Sequence, residues 1–186
     1  MPASRQRLIE LLAARSARRG TFTLASGKQS SFYIDARLTT MSPEGLSMIG
    51  PAGLALLRER EWDADSVGGL TLGADPVSYA ISYASALDRR PIRAFTVRKE
   101  AKAHGTGKLI EGPFAANDRV VIIEDVITTG GSALRAIETV RAAGARILGV
   151  LAVVDREEGG RETIEATGVP VVSIARVSEV LALVPA

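Results

Sequence analysis

The segment Val120-Val-Ile-Ile-Glu-Asp-Val-Ile-Thr-Thr-Gly-Gly-Ser132 constrains this chain more than any other. Its four leading aliphatic residues leave no polar face, which suits a strand covered on both sides in a parallel sheet. Two adjacent carboxylates, Glu124 and Asp125, end that run, and a Thr/Gly/Ser turn follows. Beyond the turn, Ala133, Leu134, Ala136, Ile137 and Val140 recur at helical spacing. The expected unit is a strand over 120–123, a turn, and a helix over 132–143. Unobstructed N–H groups and hydroxyls at a helix N-terminus favour a phosphate. Glu124 and Asp125, just before it, can accept hydrogen bonds from a pair of sugar hydroxyls. A site for a diol and a phosphate suits a phosphorylated ribose. No Lys follows the glycines, so the segment is not a Walker A loop.

The same alternation of strand and helix runs through the chain. Helices are expected over 5–19, with Gly20 as the stop, from Ser42-Pro43-Glu44 to about residue 61, and over 76–87. Strands are expected over 66–70, 92–97, 146–154 and 171–174, with a short two-stranded region over 21–37. This pattern predicts an α/β fold: a mostly parallel twisted sheet with helices on both faces. Ligands in such sheets bind at the carboxyl ends of the strands, where the 124–132 loop falls. Arg15, Arg18 and Arg19 are expected to complement the dipole at the end of the first helix.

At 186 residues the chain suits one domain, and 46% hydrophobic with 24% charged residues are globular values. A net charge of +2 gives no reason to expect nucleic acid as a partner. No run is long and apolar enough to span a membrane, and the N-terminus lacks a signal-peptide apolar region. Cysteine is absent, which excludes disulfides and thiolate metal sites. The expected location is the cytoplasm.

One stretch combines cations with little to bury. Residues 98–112 hold Arg98, Lys99, Lys102, Lys108, the only histidine (His104) and three glycines. Such a loop is expected to face solvent and move, and it is suited to closing over an anionic ligand.

The 120–132 segment resembles the 5-phosphoribosyl-1-pyrophosphate (PRPP) motif of type I phosphoribosyltransferases. That resemblance implies that Glu124 and Asp125 hold the ribose hydroxyls. It also implies that Val126, Ile127, Thr128, Thr129, Gly130, Gly131 and Ser132 complete the ribose-phosphate site. A narrower resemblance lies in Val97-Arg-Lys-Glu-Ala-Lys-Ala-His-Gly105, which is similar to the catalytic loop of the orotate phosphoribosyltransferase family. By that resemblance Arg98, Lys99, Lys102 and His104 bind PRPP, and Lys102, His104 and Asp125 are the catalytic residues. Arg156, in Val153-Val-Asp-Arg-Glu-Glu-Gly-Gly160, and Thr128 would contact orotate; a guanidinium grips a carboxylate through two parallel hydrogen bonds. Residues 22–35 resemble the family's N-terminal substrate hood.

The resemblance implies one domain over 1–186, with 1–40 as a hood and 98–112 as a mobile catalytic loop. It implies transfer of phosphoribosyl from PRPP to orotate, giving orotidine 5′-monophosphate and pyrophosphate in pyrimidine (UMP) biosynthesis. It further implies a homodimer with shared active sites and Mg²⁺ carried mainly by PRPP, without a dedicated protein cage. A phosphoribosyltransferase for a purine or another base, or a non-catalytic PRPP-binding regulator, would share the ribose-phosphate motif. Two departures stand out. Many bacterial members have Lys where this chain has Ala25, and a Tyr-Lys pair where it has Leu72-Gly73. Lys28 is a candidate substitute for the first.

Overall fold

The structure, a computed structural model, describes residues 2–23, 27, 29–100 and 108–185. The chain opens with helix α1 (Pro2–Arg15), a hairpin of β1 (Ala17–Thr23) and β2 (Gln29–Ile34), short helix α2 (Arg37–Thr40) and helix α3 (Pro43–Glu59). Then come β3 (Ser66–Leu70), α4 (Ala74–Leu87), β4 (Arg93–Val97), β5 (Ile110–Glu111), β6 (Arg119–Ile127) and α5 (Gly131–Ala142). The last elements are β7 (Arg146–Asp155), α6 (Gly160–Glu165), β8 (Val171–Arg176) and α7 (Val177–Leu181).

The main sheet has the order β5-β4-β3-β6-β7-β8, parallel throughout except for edge strand β5. β6 is central and apolar because both of its faces are covered. Val121 and Ile123 join the apolar cluster shared with α1, α3 and α4, while Val120 and Ile122 join the one shared with α5 and α6. The mostly parallel sheet with helices on both faces therefore matches the sequence expectation.

The larger departures from expectation each have a physical reason. α1 ends at Arg15 rather than running to residue 19. Ser16 is buried and its hydroxyl meets that of Thr39 at 2.7 Å, after which Ala17 pairs with Ile34 in the hairpin. Gly20 lies within β1, where the register shifts, rather than at a helix stop. Of the three arginines, only Arg15 sits in a last helical turn, and it pairs with Glu44 at 3.0 Å. Arg19 instead donates to the carbonyls of Leu181 and Val184.

β6 also runs beyond residue 123 to Ile127, because its pairing with β7 continues through Ile127↔Asp155. The two acids are therefore strand residues. The predicted start of α3 is present, with the Ser42 hydroxyl accepting from the Gly45 N–H at 3.0 Å. The stem of the basic segment is a hairpin, in which Val97 pairs with Ile110 and Thr96 with Glu111.

Candidate active site

At the carboxyl ends of β3 and β6 lies a cleft of about 310 Å³. Glu124, Asp125, Val126, Thr128 and Ser132 line it from β6 and the turn that follows. The β3–α4 turn adds Thr71, Leu72 and Gly73; Tyr33 to Arg37, Lys99 and Arg156 complete it. The Thr71–Leu72 peptide is cis. The fold thus brings Glu124 and Asp125, Thr128 and Ser132 of the turn after β6, Lys99 of the basic segment and Arg156 to a single cavity.

The acids occupy unusual environments. Glu124 is 6% exposed and its Oε1 has no hydrogen-bond partner. Burial raises its pKa to about 8, with the neighbouring Asp125 charge adding to the rise. Burial also raises Asp125, opposed by its hydrogen bond from the Val126 N–H at 2.9 Å and by the Arg37 charge. An unpartnered buried carboxyl oxygen aimed at a cleft suits a ligand hydroxyl. Gly73 closes over this pair so tightly that a Cβ there would stand 2.4 Å from Asp125 Oδ1.

The turn after β6 is built by glycine. Gly130 has φ 85°, a left-handed conformation, and a Cβ on it would meet the Gly160 carbonyl oxygen at 2.8 Å. It caps α5 with no side-chain hydrogen bond, so the first-turn N–H groups are not occupied by a capping hydroxyl. Thr129, Gly131 and Ser132 are exposed. Ile127 is buried against α5, so its side chain serves the core.

Arg156 is held firmly: its side chain is 8% exposed and pairs with Glu158 at 2.6 Å. Its guanidinium lies 4.9 Å from the centroid of the Phe32 ring on β2, which ties the hairpin to the cleft. Arg156 Nε has no partner. Arg98 stands at the hairpin stem, its N–H donating to the Leu109 carbonyl at 2.8 Å and its guanidinium 3.5 Å from Glu111. Lys102, His104, Ala25 and Lys28 lie outside the described residues.

Sequence reasoning missed Asp35 and Arg37, which line the cleft as an ion pair at 2.8 Å. The acid–x–base spacing of Asp35 and Arg37 at the end of the hood-like segment was the available signal. A larger cavity, about 840 Å³, opens at the amino ends of the strands around Trp62, Arg90 and Arg93. Its charges largely satisfy one another, Arg119 with Asp63 and Asp65 and Arg58 with Asp88, so its size does not make it the reactive site.

A phosphoribosyl transferase domain model matches residues 80–178. The orotate phosphoribosyltransferase of Aquifex aeolicus is 48% identical over 180 residues, covering 95% of this chain and 97% of that protein. The chain belongs to the orotate phosphoribosyltransferase family. The Mycobacterium avium member of this family is 47% identical over 171 residues, covering 91% of this chain and 92% of its own length. A crystal structure of the Mycobacterium tuberculosis orotate phosphoribosyltransferase with PRPP superposes with a TM-score of 0.81 at 40% identity, covering 95% of this chain and 98% of that one. A yeast adenine phosphoribosyltransferase shares the fold alone, with a TM-score of 0.68 at 22% identity.

Among the described residues no group of three Asp, Glu or His side chains converges to hold an ion. The two cleft carboxylates suit Mg²⁺, which keeps several waters and binds through one or two carboxylates plus substrate phosphates.

Proposed function

We propose that this protein is the phosphoribosyltransferase that joins orotate to the ribose 5-phosphate of PRPP, forming orotidine 5′-monophosphate and pyrophosphate for UMP synthesis. The observation that carries this reading is one cleft shared by buried Glu124 and its half-buried neighbour Asp125, Thr128 and Ser132 of the uncapped turn, and a clamped Arg156.

Glu124 and Asp125 accept hydrogen bonds from the ribose 2′- and 3′-hydroxyls. The N–H groups and hydroxyls from Val126 to Ser132 receive the 5′-phosphate at the start of α5. Arg156, held by Glu158 and Phe32, presents its guanidinium to the orotate carboxylate, and Thr128 supplies a hydroxyl beside it. Bond breaking at the anomeric carbon runs ahead of bond making, so positive charge grows on the ribose above the acid pair. Lys99 and Arg98, with Lys102 and His104 from the adjoining segment, neutralise the departing pyrophosphate. Glu124 and Asp125 are the carboxylates that would face Mg²⁺ carried by PRPP, which would supply neutralisation of further phosphate charge.

The reading includes a homodimer. Tyr79, Tyr83 and Leu87, spaced one helical turn apart on α4, are 53%, 68% and 70% exposed. α4 begins directly after the Thr71–Gly73 turn of the cleft, so a second copy packed on this stripe would rest on the helix that carries that turn. Among the described residues no helix is long and apolar enough to cross a membrane. The reading places the reaction in the cytoplasm.

Pyrophosphate release measured with PRPP, Mg²⁺ and each of orotate, uracil, adenine and hypoxanthine tests the assignment. Release with orotate alone is expected. Release with a purine instead would replace the reading.

A further inference from the structure

Pyrophosphate is the most highly charged group the cleft must hold, yet the turn beside it brings no cation. Thr71 to Gly73 offer one hydroxyl, and Thr71 already donates it to Asp75 at 2.7 Å. Position 73 cannot take a side chain with Asp125 where it is, since a Cβ would overlap the carboxylate. The family's lysine at this point therefore has no room here.

Arg37, at the start of α2, lines the same cleft as Gly73, Asp125 and Lys99. Its guanidinium is fixed along one edge, with Nε donating to Asp35 Oδ1 at 2.8 Å and Nη2 to Oδ2 at 2.9 Å. Asp35 Oδ1 also accepts the Arg37 backbone N–H at 3.1 Å, so one carboxylate sets both backbone and side chain. Nη1 makes no hydrogen bond among the described residues, and 48% of the side chain is exposed. Its charge reaches Asp125, drawing that carboxyl down against the effect of burial. A planar cation clamped on one edge and open on the other is preorganised for phosphate oxygens.

We propose that Arg37 binds PRPP in this chain, offering its open edge to the pyrophosphate and replacing the cation that the Thr71–Gly73 turn lacks, with Asp35 as its positioning residue. The proposal rests on the reading of this cleft as a PRPP site.

The test is PRPP·Mg²⁺ affinity by titration calorimetry on the full chain, for wild type, Arg37→Ala, Arg37→Lys, Asp35→Asn and Arg37→Ala with Leu72→Lys. Arg37→Ala should weaken PRPP binding about 10- to 100-fold, the scale of a lost charge-assisted contact, and leave the orotate KM unchanged. Arg37→Lys should lose less. Asp35→Asn keeps the cation and should also lose less. A lysine at exposed position 72 should recover part of the loss. PRPP affinity unchanged in Arg37→Ala, equal losses in Arg37→Ala and Asp35→Asn, or a loss confined to orotate would each overturn the proposal. If Arg37→Ala fails to fold, Arg37→Lys against Asp35→Asn decides, and the weaker binder must be Asp35→Asn for a structural pair. Wild-type protein that binds PRPP but does not consume orotate refutes the functional reading while the Arg37 comparison still stands. Wild-type protein that does not bind PRPP refutes both.

Discussion

Glu124 concentrates the chemistry of the cleft in one carboxyl. Buried and unpartnered, it holds its proton to about pH 8, whereas the unfolded chain releases that proton in the ordinary carboxylate range. The folded state therefore binds more protons between those values, and stability falls as pH rises through that window. Melting temperatures at about pH 6 and about pH 9 should show a smaller drop for Glu124→Gln than for wild type; equal drops would place the titration elsewhere. Catalysis runs the opposite way. An ionised Glu124 supports positive charge growing on the ribose, so kcat/KM for PRPP should rise as pH approaches 8, and Glu124→Gln should flatten that limb. Lys102 and His104 belong to the same scale. Replacing either with Ala should lower turnover roughly 10²- to 10³-fold, the effect of removing a preorganised oxyanion donor, with unchanged circular dichroism. Full activity in both variants would remove the basic segment from the mechanism.

Elements were legible in the sequence where side chains alone decided them. The 66–70 strand coincides with β3, and Ser42-Pro43 starts α3 as its cap residue and first-turn proline require. The apolar run of β6 and the turn after it announced a diol-and-phosphate site, and both acids do line a cleft. What stayed hidden depended on partners distant in sequence. The overrun of β6 to Ile127 is set by its ladder to β7, and the early end of α1 by pairing of Ala17 with Ile34. Arg37 was not singled out, because its place depends on the fold bringing α2 to the cleft at the tip of β6. Asp118 is another such case. Buried before β6, it accepts from Ser66 at 3.0 Å, Arg93 at 2.6 Å and the Ala115 N–H at 3.1 Å, tying the amino ends of three adjacent strands. Asp118→Ala leaves these donors unmatched and should destabilise the fold by about 3 kcal/mol, measured by urea denaturation; a change near zero would mean that water takes its place.

For the whole molecule, the sheet separates two kinds of end. Amino ends carry charges that neutralise one another around the larger cavity, while carboxyl ends leave the buried Glu124 and an uncapped helix start facing the cleft. That asymmetry is what supports the smaller cavity as the proposed reactive site. The exposed α4 stripe extends the argument to two copies of the chain. Tyr83→Glu places a charge at its centre and should shift the protein from dimer to monomer in sedimentation, with turnover falling alongside; a wild-type monomer would exclude this face as the interface. The central claim is tested most directly by following orotate absorbance after PRPP is added to the purified protein with and without Mg²⁺, while pyrophosphate is counted. Metal-dependent loss of orotate matched one-for-one by pyrophosphate is the predicted result. Orotate left intact in the presence of bound PRPP would contradict the account.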